Sequence, residues 1–201
     1  MEKDELMKYI LGMEWDMFTN VQNQNGRAEC QDNYETFAIM RLSQLKVWDE
    51  EILASYFLDL LEAKEAERNL MTEKYAHMME QTYPEEYERL KMLLPPVSDK
   101  AKEIAKAIVQ IYSVWEKEMS IRFPKLRSHG RVAQQDQSLD GSVSVENYQY
   151  CELITYSERT LQLILEYIGQ NAAKNLYMEE VLNMVQAYGY KSLEDAEASL
   201  A

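Results

Sequence analysis

Apolar residues recur along this chain at intervals of three and four, the spacing that lays them on one face of an α-helix. Residues 6–21 carry Leu6, Ile10, Met13, Met17 and Val21, and residues 104–119 carry Ile104, Ile108, Ile111, Trp115 and Met119. Both stretches predict amphipathic helices. Further helices are predicted over 34–48, over 50–66 with Ile52, Tyr56 and Leu60 on one face, and over a stretch carrying Met71, Tyr75 and Met78. The same order returns later: a helix over 145–156, one aligning Leu161, Leu165 and Ile168, and one carrying Tyr177, Val181, Met184 and Tyr188. Strand signals are poor, since Asn25-Gly26 lacks the alternating flanks of a hairpin, and the pattern reads as all-α.

Polar punctuation supports these bounds. Tyr83-Pro84-Glu85-Glu86 is a helix start, with proline and acids in the first turn, and Leu94-Pro95-Pro96 is a stop before Ser98 caps the next helix. Gly189 can end a helix, and Ser192-x-x-Asp195 signals the cap of a short last one.

The helical pattern comes twice, and so do two polar motifs. Gly26-Arg27-x-x-x-Gln31-Asp32 returns as Gly130-Arg131-x-x-x-Gln135-Asp136, and Asn69-Leu70-x-x-Glu73 returns as Asn175-Leu176-x-x-Glu179. Two blocks in the same order at nearly the same offset predict an internal duplication of a roughly four-helix unit. The expected architecture is one compact helical domain over 1–201, built of pseudo-repeats at about 1–94 and 98–201 that pack about a pseudo-dyad. An insertion in the second copy is expected in a loop over 122–129.

Composition narrows the function classes. The chain has 201 residues, 46% of them apolar and 28% charged, with 6 glycines and 4 prolines, which suits a folded helical protein. A formal net charge of −14 disfavours nucleic acid, whose binding requires clustered lysine and arginine. The acidic start lacks the apolar core of a secretion signal, and no run of 18 apolar residues predicts a membrane span. Cys30 and Cys151, at unmatched positions in the two copies, give no disulfide framework and fit a reducing, cytoplasmic location.

Nucleotide-binding glycine loops, the nucleophile elbow and the H-E-x-x-H motif are all absent. With only His77 and His129, histidine triads and multi-histidine metal sites have no material. Glu73 and His77 share a helix face, but one pair is a weak metal signal and no cofactor is predicted. The matched polar set is the stronger candidate: Arg27, Gln31, Asp32, Asn69 and Glu73, with Arg131, Gln135, Asp136, Asn175 and Glu179. Arginine offers a forked cation to carboxylate or phosphate, glutamine donates and accepts, and a carboxylate can orient the arginine or act as a base. The structural alternative is equally concrete: the glycines supply positive φ, Asp32 and Asp136 cap helices or pair with the arginines, and Asn69 and Asn175 are N-caps.

The segments Gly12-Met13-Glu14-Trp15, GRAECQD at 26–32, MRLSQ at 40–44, RNLMTEKYAHMM at 68–79, LITYS at 153–157 and YGYKSLEDAE at 188–197 resemble a bacterial family catalogued as domain of unknown function 4125. The resemblance spans essentially the whole chain and supplies no activity, substrate or catalytic residues. It implies an accessory or substrate-holding role, because some relatives are joined to a nucleotidyltransferase-like domain. The leading expectation is therefore a cytoplasmic helical binding or accessory protein that recognises a small anionic ligand or a protein partner, such as a nucleotidyltransferase-like protein, through its Gly-Arg loops. The alternatives are an enzyme, with Asp32 or Glu73 as acid or base and Arg27 as anion clamp, and a purely structural or interaction module.

Overall fold

The first predicted stripe folds as α1 (Lys3–Thr19), which turns Leu6, Met7, Ile10, Leu11, Met17 and Phe18 inward. A computed structural model describes residues 2–22, 26–128 and 144–200. Among these, eleven α-helices occur and no strand. After α1 come α2 (Tyr34–Leu45), α3 (Glu50–Glu65), α4 (Leu70–Thr82) and α5 (Pro84–Leu90). They are followed by α6 (Asp99–Arg122), α7 (Pro124–Ser128), α8 (Val145–Leu153), α9 (Glu158–Gln170), α10 (Leu176–Ala187) and α11 (Leu193–Ser199).

Most helix starts are fixed by a side chain that accepts from an otherwise orphaned backbone N–H. Asn69 takes the N–H of Thr72, Ser98 that of Ala101, Asn175 that of Met178 and Ser192 that of Asp195. These are the positions expected from the sequence. Gly189, at φ +95°, ends α10 in a left-handed turn: its own N–H reaches Gln186, and that of Tyr190 reaches Val185. The same turn ends α3 around Glu67, at φ +54°, without the glycine that usually occupies it.

Several expectations are corrected. Of the two structural roles open to Asp32, it takes the pairing with Arg27, and Asn33 caps α2 instead, accepting from Thr36. The helices expected to run to 48 and 156 stop at Leu45 and Leu153, since Asp49 and Ser157 begin new helices and the intervening residues must turn. The stretch expected as a loop over 122–129 contains α7. With the expected α5 and α11 and the unexpected α7, the halves hold five and six helices among the described residues rather than four each.

Helix α1 packs on α2, α3 and α4, and α6 packs on α8, α9 and α10. The two groups join where α3 lies on α9, α2 on α10 and α4 on α8. One large apolar cluster, including Ile10, Leu45, Leu53, Leu60, Ile108 and Leu161, runs through both groups. A smaller one joins Met119, Phe123, Met178, Val185 and Leu193. Each such side chain contributes about 1.5–3 kcal/mol by leaving water. No described helix is long and apolar enough to cross a membrane.

Candidate functional site

The first Gly-Arg segment closes the end of α1. Gln31, 1% exposed, donates its amide to the carbonyls of Phe18 and Val21, at 2.8 and 3.0 Å, and accepts from the N–H of Ala28. Arg27 donates to the carbonyls of Thr19 and Gln31, at 2.8 Å each, and to Asp32 at 2.8 Å. These groups satisfy helix carbonyls that have no partner inside the helix, and a cation is favourable at that end. Gly26, at φ +86°, turns the chain into the segment. Asn69 reaches the same helix end, donating to Met17 at 2.8 Å while capping α4. Glu73 accepts a two-pronged contact from Arg68, at 2.7 and 2.8 Å.

In the second half, Asn175 caps α10 and donates to Trp115 and Glu118, at 3.0 Å each. Glu179 is exposed. Arg131, Gln135 and Asp136 lie outside the described residues. The structure thus gathers Arg27, Gln31, Asp32 and Asn69 around one helix end, where each spends hydrogen bonds on backbone or on one another.

A different set of charges lies at the centre. Glu14 on α1 is wholly buried and accepts from Arg41 at 2.5 and 2.8 Å and from the Tyr56 hydroxyl at 2.6 Å. Arg41, on α2, continues to Glu152 on α8 at 2.9 Å. Glu152 also accepts from Lys74 on α4, at 2.5 Å, and from the Tyr156 hydroxyl, at 2.8 Å. The Lys74 ammonium, 2% exposed, sits 3.5 Å from the centre of the Tyr148 ring. Burial pushes the Glu152 carboxyl up, but Arg41 and Lys74 outweigh it and hold the group well below the usual carboxylate range.

Beside this network is a cavity of about 110 Å³ between α2, α6, α8 and α10. Its wall includes Arg41, Trp48, Tyr112, Glu116, Tyr148, Glu152, Tyr156, Tyr177 and Glu180. Glu180 accepts from the Tyr112 hydroxyl at 2.7 Å and, among the described residues, pairs with no cation. Burial pushes its carboxyl up to about 8, against the opposing pull of Tyr112 and Arg41, so it holds a proton at neutral pH. Glu116, 5% exposed, is held by Arg127, whose guanidinium nitrogen lies 2.5 Å from its Oε1. Burial raises its carboxyl as well, with Arg127 opposing.

A second cavity, about 260 Å³, borders Asp59, Arg68, Glu73, His77, Ser98 and Glu158. Its charges are largely spent: Arg68 holds Glu73, Lys100 holds Glu158, and Asp59 accepts from the N–H of Ser157. Among the described residues no group of three His, Cys, Asp or Glu side chains could hold a metal ion. The smaller cavity is the better candidate, because it joins aromatic walls to a half-buried carboxyl with a displaced pKa.

Sequence reasoning overlooked Glu14, Arg41, Lys74, Glu116, Glu152 and Glu180. Four of them stand on the apolar face of their helix, between inward residues: Glu14 between Ile10 and Met17, Lys74 between Met71 and Met78, Glu116 between Tyr112 and Met119, Glu180 between Leu176 and Val185. A charge inside an apolar stripe is the signal that would have found them, because unpaired charges are almost never fully buried.

No curated protein and no solved structure matches the chain. The family model described as protein of unknown function (DUF4125) matches residues 4–198, and the chain belongs to that family.

Proposed function

We propose that this protein binds a small molecule in the cavity between α2, α6, α8 and α10, and that its two halves are diverged copies of one helical unit forming a single domain. The observation that carries the binding reading is the Glu180 carboxyl, half-buried on the cavity wall and, among the described residues, without a cation partner. A carboxyl drawn out of water in this way costs stability, and it is tolerated where it serves a site.

The duplication draws support from parallel packing. Helix α1 meets α2, α3 and α4 as α6 meets α8, α9 and α10, and α2 on α10 mirrors α8 on α4. Ser55 and Thr160, on α3 and α9, touch through their hydroxyls at 2.7 Å where the two helix groups meet. Ile10, Glu14, Met17 and Val21 on one side, and Tyr112, Glu116, Met119 and Phe123 on the other, share one spacing, and all eight are buried.

Under this reading Arg27, Gln31 and Asp32 brace the end of α1. An anion or partner site at that loop would rest on the outward N–H groups of Arg27, which is 47% exposed along its side chain. An accessory role beside a nucleotidyltransferase-like protein in the bacterial cytoplasm remains an analogy from the family resemblance. A catalytic reading gains one observation: a carboxyl poised near 8 beside a tyrosine is suited to proton transfer.

Protein-observed NMR with a set of small cationic, neutral and anionic fragments tests the binding reading. Hits should shift the methyl signals of Ile108 and Ile164, which line the cavity. Hits confined to the Arg27 loop would return the function to that segment, and hits confined to the cavity of Arg68 and His77 would also overturn the proposal.

A further inference from the structure

The protein carries its own example of a buried ammonium site. Lys74 stands five residues past the cap Asn69 and places its ammonium on the Glu152 carboxylate and against the Tyr148 ring. Five residues past the matching cap Asn175 stands Glu180, a carboxylate where the first half has the cation. Arg41, eight residues past its cap Asn33, is likewise answered by Glu152, eight past Ser144. The positions that hold arginine and lysine in the first half thus hold Glu152 and Glu180 in the second. Glu116 has Arg127, and Glu152 has Arg41 and Lys74, whereas Glu180 has a neutral hydroxyl.

We propose that the cavity takes a small organic cation, an alkylammonium group, whose arrival releases the Glu180 proton to solvent so that the carboxylate serves as its counter-ion, with the rings of Tyr112 and Tyr177 around it. The inference rests on the cavity reading above and names the ligand class for it. A buried carboxylate is stabilised by a paired cation, and aromatic rings accommodate ammonium groups on their faces. A hard metal ion is a poor fit, since it requires several oxygen ligands and no group of three acidic, histidine or cysteine side chains assembles among the described residues. Size limits the occupant as well: a cavity of roughly 150 Å³ holds benzene, so about 110 Å³ suits a ligand of four to six heavy atoms.

The test compares three probes of one shape, n-butylammonium, 1-butanol and butyrate, at about pH 9, where Glu180 is ionised and the alkylammonium keeps its proton, by calorimetry and by the methyl signals of Ile108 and Ile164. Butylammonium should bind at least about tenfold more tightly than 1-butanol, the factor expected of one charge-assisted contact. Glu180→Gln should lose that advantage and leave 1-butanol binding unchanged. Equal binding of butylammonium and 1-butanol, or preference for butyrate, with the same methyl signals moving, overturns the cation assignment and leaves the cavity reading standing. Silence of those signals with all three probes overturns both. If Glu180→Gln does not fold, the three-probe comparison on the native protein decides alone.

Discussion

The two halves of this molecule bury charge in opposite ways. In the first, Glu14, Arg41 and Lys74 lie within the core, and Arg41 grips Glu14 with two nitrogens. In the second, Glu116, Glu152 and Glu180 are all acids, and Arg41 and Lys74 reach across to neutralise just one of them, Glu152. Packing geometry is shared, while charge is not. The first half therefore behaves as a closed structural brace, and the second keeps one carboxyl, Glu180, without a cation among the described residues and with space beside it. A buried ion pair contributes little net stability, but removing one partner is costly because the other is left desolvated.

The largest expected effect follows from that asymmetry. Arg41→Ala strands Glu14, which is 0% exposed, and removes one of two cations from Glu152. Urea denaturation should show a loss of about 3–5 kcal/mol, the range for breaking a buried pair. A loss below about 1 kcal/mol would mean that the first half is not braced by charge.

Titration sharpens the contrast next. Glu180 has its folded pKa raised to about 8, so its contribution to stability is fully present below the unfolded carboxyl pKa and is lost as pH rises through 8. Glu152 behaves in the opposite sense: its folded pKa is depressed, so its contribution is present above the unfolded value and is lost in acid. Between about pH 5 and 9 the native protein should lose stability on the order of 3 kcal/mol through Glu180, and Glu180→Gln should flatten that limb. Denaturation midpoints that rise together in both proteins across this interval would contradict the burial of that carboxyl.

Much of this fold is legible along the chain. Local signals sufficed for Ser98, Ser192, Asn69 and Asn175 as caps and for Gly189 as a stop, since each is a contact within a few residues. Sequence alone leaves Asp32 between a cap and a partner of Arg27, because it shows two adjacent cap candidates and not which of them Arg27 captures. The central charges were illegible as a site for a further reason: Arg41 meets Glu152 across 111 positions and Lys74 meets it across 78. Periodicity puts such a residue on the inward face but does not name its partner.

The matched caps offer a smaller test of likeness between the halves. Asn69 and Asn175 each accept the N–H three residues on and donate to a carbonyl of the first helix of their half. Asn69→Ala and Asn175→Ala should each cost about 1–2 kcal/mol, a cap plus one hydrogen bond to a helix carbonyl. Similar losses favour one inherited device, whereas a gap above about 1 kcal/mol would count against a common origin of the two positions.

Arg27→Ala should have the smallest effect. Its partner Asp32 is 67% exposed, and water competes for both charges, so their pairing contributes roughly 0–1 kcal/mol. What the guanidinium adds is closure of α1, through Thr19 and the Gln31 carbonyl, while the buried Gln31 amide holds Phe18 and Val21 independently. The expected change in urea stability is below about 1 kcal/mol, with cavity binding intact because Arg27 does not line that wall. If Arg27→Ala instead abolishes small-molecule binding while leaving stability unchanged, the exposed loop and not the acidic half carries the function, and the contrast between the halves concerns folding alone.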